Sequence, residues 1–181
     1  GYALDLASGD LTQKQSLFSQ PIGSTIIYND FYIIPQRNGT IQCFDTRTGG
    51  ILWNHRSAVE ARKDKLDISI SGIKLHGEAI WVSKHWGNLY IVNANTGVIS
   101  TDPGVHYESR INTLAVALGP NVVYPNVAGE LNCFSLDGTK QQWQHTIDAG
   151  YMLSLHSDNK FLYYNSTEKQ FVCLGILAIL A

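Results

Sequence analysis

Six histidines, three cysteines and fifteen carboxylates are the side chains here that could serve as acid, base, nucleophile or metal ligand. Their spacing decides what they can do. The acids are mostly single and fall at glycine turns: Asp5, Asp45, Asp102, Asp137 and Asp158. Calcium wants several oxygen ligands converging from one loop. The nearest match, Asn93-Ala94-Asn95-Thr96-Gly97, is more economically a glycine turn that caps a repeat. His55 and His145 each stand two residues after a tryptophan, which marks a duplicated strand end. His76, His85, His106 and His156 lie near turns without zinc-type spacing. His85-Trp86, ahead of Gly87, is a candidate rim or channel position. Cys43, Cys133 and Cys173 form no Cys-x-x-Cys pair. No nucleophile elbow, phosphate-cradling loop or His-Glu-x-x-His segment occurs. The expectation is therefore no catalytic, cofactor or metal site.

What these residues share is a place in a repeat. A glycine, an apolar strand, a polar residue and a closing glycine turn recur four times. Tyr2-Ala3-Leu4-Asp5 runs to Gly9, Gly39 through Asp45 to Gly49, Gly87 through Asn93 to Gly97, and Gly129 through Ser135 to Gly138. The closing glycines are 40, 48 and 41 residues apart. That period, with strand-like units, is the signature of propeller blades. The predicted fold is all-β: a β-propeller of four-stranded antiparallel blades, about four of them present, a partial propeller. Residues 1–181 divide into a partial blade 1–17, blades at about 18–56, 68–101 and 111–146, and an incomplete blade 151–181. Gly39, Gly49, Gly87, Gly97, Gly129 and Gly138 are its structural turn residues.

Period-2 alternation and turn residues cut the second unit into four strands: Ser24–Tyr28, Phe31–Pro35, Thr40–Asp45 and Ile51–His55. The third has Ile68–Lys74 and Ala79–Lys84, then a turn at Trp86-Gly87 and Leu89–Asn93. Cys43, Cys133 and Cys173 occupy one slot, filled elsewhere by Ala3 and Ile91, where a small buried apolar residue is expected. Trp53 and Trp143 follow the closing turn and are expected to wedge between neighbouring blades. Thr12 or Gln13 and Thr101 stand near that place in two other units, whose seams should be looser. Arg56 to Asp67 breaks the period. It is the most charged stretch, and Ala58 to Leu66 could form a helical turn or two. It is either a solvated loop or a partner-contact loop, since insertions on one face of repeat arrays often carry binding.

A net charge of −2 with 15% charged residues argues against a nucleic-acid footprint. The chain opens in mid-repeat, so the start of that strand is expected to precede Gly1. The apolar run from Phe171 to Ala181 is too short to span a bilayer. Two sequons, Asn38-Gly39-Thr40 and Asn165-Ser166-Thr167, are placed in turns.

The phrases Tyr2-Ala3-Leu4-Asp5 to Gly9 and Phe44-Asp45-Thr46-Arg47-Thr48-Gly49-Gly50-Ile51-Leu52-Trp53 resemble the quinoprotein-type (PQQ-like) propeller repeat, over residues 1 to about 175. That family includes pyrroloquinoline quinone (PQQ) dehydrogenases and a non-catalytic BamB-like branch, which the residues favour. The resemblance implies a ring of about six to eight blades. The chain supplies about half, so missing sequence or another chain is expected to complete the ring. In the enzymes, the quinone lies against a tryptophan and adjacent cysteines beside calcium held by Glu, Asn and Asp. No Cys-Cys pair is present to match them. The resemblance thus points to a non-catalytic scaffold without cofactor, binding other protein subunits in a periplasmic or otherwise extracytoplasmic, membrane-associated complex. Two alternatives stand beside it: a fragment of a PQQ- and calcium-dependent dehydrogenase, or a luminal sensor domain. Candidate partner-binding residues are Arg56, Glu60, Arg62, Lys63, Lys65, Trp86 and Tyr107.

Overall fold

A computed structural model describes residues 2–4, 7–56, 70–84, 86–101, 106–110, 115–125, 129–147, 152–167 and 171–175. These contain strands and no α-helix. Alternating apolar residues make each segment two-faced, and the inner sheets bury both faces against their neighbours, so the strands are packed as a row of stacked sheets.

Five antiparallel sheets follow one another along the chain. The first pairs β1 (Tyr2–Leu4) with β2 (Leu11–Lys14). The second orders β3 (Ile26–Tyr28), β4 (Phe31–Pro35), β5 (Thr40–Asp45) and β6 (Ile51–Arg56) as a meander. The third contains β7 (Ile70–His76), β8 (Ala79–Lys84), β9 (Trp86–Asn93) and β10 (Ile99–Thr101), with β11 (His106–Arg110) also paired to β9. The fourth is β12 (Val116–Leu118), β13 (Asn121–Pro125), β14 (Glu130–Ser135) and β15 (Gln141–Thr146). The fifth has three strands, β16 (Met152–Ser157), β17 (Phe161–Ser166) and β18 (Phe171–Gly175). This is an open arc of about four propeller blades.

The closing glycines Gly9, Gly49, Gly97 and Gly138 all have φ between 70° and 75°. That left-handed backbone admits glycine without a Cβ clash, which explains their recurrence. Upstream of them a short polar side chain folds the turn. Asp45 Oδ1 accepts from the backbone N–H groups of Arg47 (2.8 Å) and Thr48 (2.7 Å). Asn93 Oδ1 does the same for Asn95 (2.9 Å) and Thr96 (3.1 Å).

Register repeats from sheet to sheet. Ile33, Cys43 and Trp53 lie opposite one another, as do Val123, Cys133 and Trp143. That row of each blade faces the next blade, and alternate residues face the previous one. Ile33, Ile41 and Cys43 thus pack on Ile80, Val82 and Val92 of the third sheet. Trp81, Leu89 and Ile91 pack on Val122, Tyr124 and Phe134 of the fourth. Val123, Leu131 and Cys133 pack on Leu155, Leu162 and Tyr164 of the fifth.

Several expectations change. The Trp86-Gly87 turn is absent. Trp86 begins β9, because Trp86 and Asn88 are held extended by pairing with Arg110 and His106 of β11. The third sheet consequently runs past residue 101 to Arg110, its outer strand divided between β10 and β11. Asn165 lies in β17 and not in a turn, since it pairs with Phe171. Cys173 does occupy the register of Cys43 and Cys133, opposite Tyr163, yet it is exposed while they are buried. Among the described residues nothing packs on that face of the fifth sheet. The possible helical turns at 58–66 lie outside the described residues.

Candidate functional site

In an antiparallel meander the turns between first and second strands and between third and fourth strands share one end of the blade. The turns between second and third strands, and the links to the next blade, share the other. The two ends differ in chemistry.

The first end carries the Asx turns. Asp137 accepts from Ser135 Oγ (2.6 Å), Thr139 N (3.1 Å) and Thr139 Oγ1 (2.9 Å). Asp158 accepts from the N–H of Lys160 (2.9 Å) and Phe161 (2.8 Å), and from Tyr163 Oη (2.8 Å). These bonds favour the charged form and hold both carboxyls below the usual carboxylate range. Asp45 is lowered in the same way, first by the Thr48 N–H. Between the third and fourth blades this end holds a cleft of about 470 Å³, lined by His76, Glu78, Asn93, Ser135, Leu136 and Asp137 among others. Burial lowers the His76 pKa, and a hydrogen bond to the Ala115 backbone works weakly against that. The imidazole is therefore neutral at pH 7. Sequence reading missed the cleft, because its lining comes from three turns in two blades that share no motif.

The opposite end carries the candidate partner-binding residues. Arg56 is exposed at the end of β6, opposite Thr40. Ile70, which opens β7, pairs with Lys84, which closes β8. Trp86 opens β9 and pairs with Arg110, and Tyr107 lies three residues earlier on β11. Register thus brings Arg56, Trp86, Tyr107 and both flanks of segment 57–69 to the same end of the arc. Glu60, Arg62, Lys63 and Lys65 lie outside the described residues.

The seams between blades are built by indoles. Trp53 Nε1 donates to the Ala94 carbonyl of the next blade at 3.1 Å. Its ring lies against Gly97, where an added Cβ would come within 2.5 Å of Cε3. Trp81 Nε1 donates to the Leu136 carbonyl at 3.2 Å. Ala94 and Leu136 are the same slot, one residue past the end of the third strand. The third blade, with Thr101 where Trp53 stands in the second, places its indole on the second strand instead. Its seam is not loose: Trp81 is fully buried against Phe134. His55 packs on Tyr90 across the other seam, ring centroids 5.5 Å apart, and burial depresses its pKa. Burial pushes the Cys43 and Cys133 thiols up to about 12, so they are inert packing groups.

Among the described residues no group of three or more His, Cys, Asp or Glu could hold a metal ion. The carboxylates of the turns are spent on their own backbone, and the chain has no adjacent cysteines. These residues do not fit a quinone with its calcium.

Stacked four-stranded sheets, glycine-closed Asx turns and indole seams define a repeat-built β-propeller, here an open arc. The chain belongs to the family described as outer membrane protein assembly factor BamB, which matches residues 2–176. BamB from Moraxella catarrhalis is similar in structure, with a TM-score of 0.69 at 16% identity over 93% of this chain and 51% of that one. The computationally designed protein Ika8 has a TM-score of 0.72 at 13% identity, over 96% of this chain and 51% of Ika8. The designed protein Ika4 has a TM-score of 0.69 at 12% identity, over 90% of this chain and 99% of Ika4. The chain therefore spans about half the length of BamB and of Ika8. No curated protein matches its sequence.

Proposed function

We propose that the chain is a non-catalytic propeller scaffold that binds other protein subunits of an extracytoplasmic, membrane-associated assembly, periplasmic in a bacterial envelope. The observation that carries it is the gathering of Arg56, Trp86, Tyr107 and the flanks of the 57–69 segment at one end of the arc. Glu60, Arg62, Lys63 and Lys65 add the charge that would select a partner there, and Trp86 and Tyr107 the aromatic area that anchors interfaces. Family membership supports the reading, since its description names an assembly factor. No helix of the described residues is long and apolar enough to cross a membrane.

The test is affinity capture of the endogenous protein with lysine cross-linking and mass spectrometry. Stoichiometric recovery of envelope subunits, cross-linked through Lys63 or Lys65, is expected, and deletion of residues 57–66 should abolish it. Recovery of the protein alone, or capture untouched by the deletion, would refute the placement.

A further inference from the structure

The cleft between the third and fourth blades forms where two turns meet. Gly77, at φ +60°, turns β7 into β8, and a Cβ there would stand 3.4 Å from Leu136 Cδ2 of the fourth blade. The Leu136 carbonyl is held in turn by Trp81 Nε1 at 3.2 Å, which fixes that wall. Ala79 and Leu136 give the cleft an apolar lining, and Glu78 and Asp137 bring a carboxylate to it from each blade. Neither carboxylate is used up. Asp137 takes its bonds from Ser135 Oγ, Thr139 N and Thr139 Oγ1 all on Oδ1, which leaves Oδ2 for another donor. Among the described residues no hydrogen bond or ion pair engages the Glu78 carboxylate. On the same lining His76 is only 9% exposed, and its Nε2 has no hydrogen-bond partner. A buried polar atom in that state calls for a partner from elsewhere. Burial disfavours the charged imidazole, and the Ala115 backbone engages the ring, so Nε2 is left as an acceptor that adds no positive charge.

No lysine or arginine lines the cleft. Lys74 on β7 and Lys140, just before β15, stand near it in sequence but are not part of the lining. The cleft therefore offers negative charge and acceptors beside an apolar surface, in a volume of about 470 Å³ that suits a small group. A bare metal ion does not fit, because among the described residues no group of three or more His, Cys, Asp or Glu could hold one. A guanidinium on its aliphatic stem does. Its planar fork bonds carboxylates, its remaining N–H groups can serve a further acceptor, and its methylenes cover apolar side chains. We infer that this cleft binds an arginine side chain presented by a partner protein, the guanidinium between Glu78 and Asp137 and the methylenes on Ala79 and Leu136. The cleft lies at the Asx-turn end of the blades, opposite Arg56, Trp86 and Tyr107. It is thus separate from the subunit-binding end proposed above, and either can fail alone.

The test is titration of the 181-residue chain with the capped dipeptide acetyl-Leu-Arg-amide, followed by nitrogen–proton NMR correlation. The Trp81 indole signal should move saturably, because its acceptor Leu136 lines the cleft. Acetyl-Leu-Gln-amide, which lacks the charge, and acetyl-Leu-Lys-amide, which lacks the fork, should each bind at least severalfold more weakly. Glu78→Gln and Asp137→Asn should each weaken the arginine peptide severalfold, and together by roughly tenfold or more. Asp137→Asn keeps an Asx-turn acceptor of the kind Asn93 supplies in the third blade, so the far-ultraviolet circular dichroism spectrum should be unchanged. Deletion of residues 57–66 should leave the titration as it is, which separates this site from the subunit contact. No saturable shift with the arginine peptide would overturn the proposal. So would equal binding of the glutamine or lysine peptide, or binding that survives the double variant undiminished.

Discussion

The seam between the second and third blades and the seam between the third and fourth perform the same task with tryptophans from different strands. Trp53 comes from the outer fourth strand and is partly buried; Trp81 comes from the second strand and is fully buried. Both N–H groups end on the carbonyl one residue past the third strand of the next blade. What is retained is the acceptor. That carbonyl follows the residue whose side chain or backbone holds the Asx turn, so it is presented at a fixed place and needs a donor when covered. The indole can reach it along either path, because each adjacent strand offers a row facing the same way.

Trp81→Ala should break this comparison most severely. Removing a fully buried indole costs about 3–5 kcal/mol. Trp53→Ala should cost less, about 2–3 kcal/mol, because part of that ring already meets solvent. Urea denaturation of the two variants checks the order; equal losses would mean that the seams are not graded by burial.

Gly97→Ala sharpens the same seam from the other side. At φ +72° a Cβ is strained, and here it would also meet Trp53 at 2.5 Å, for a combined loss of about 3 kcal/mol. Gly119→Ala is the control, with φ +58° and nothing within 4 Å of the added carbon, and about 1 kcal/mol is expected. If the double variant Gly97→Ala with Trp53→Ala recovers none of the loss, the indole is not the obstacle.

Trp53→Phe and Trp81→Phe keep an aromatic ring but drop the N–H, leaving the Ala94 or Leu136 carbonyl without that donor. About 1–2 kcal/mol is expected at each seam, larger at Trp81. A negligible change in both would show that ring packing alone holds the blades.

The smallest effect is a pH dependence shared by the seams. His55 and His76 sit at successive seams with pKa values depressed mainly by burial. Unfolded, each takes up a proton near the ordinary value of 6.5; folded, each does so only at lower pH. Their contribution to stability is therefore complete above about pH 6.5 and is lost as pH falls through the folded values. The urea midpoint should drop between pH 7.5 and 5.5, and the drop should shrink in His76→Gln. A flat profile would place both imidazoles in contact with water.

The blade count and most strand bounds were legible in the sequence, because glycine turns and period-2 alternation are local. The second sheet follows its predicted strands to within two residues. The departures come from pairing partners far away in sequence. β11 holds Trp86 extended where local composition favoured a turn. Cys173 has the sequence context of a buried slot, but among the described residues no neighbouring blade buries it. Of the proposed contact residues, composition singled out Arg56 to Lys65, Trp86 and Tyr107; only register showed that Arg56, Trp86 and Tyr107 belong to one end.

By itself the sequence determined the repeat, the turns that punctuate it and the absence of adjacent cysteines, all properties of neighbouring residues. Tertiary structure alone decided which strand supplies each seam's indole and that His55 and His76 are buried, with pKa values pushed down by that burial. Burial and dielectric depend on what packs above a residue, and that is set by a strand tens of residues away.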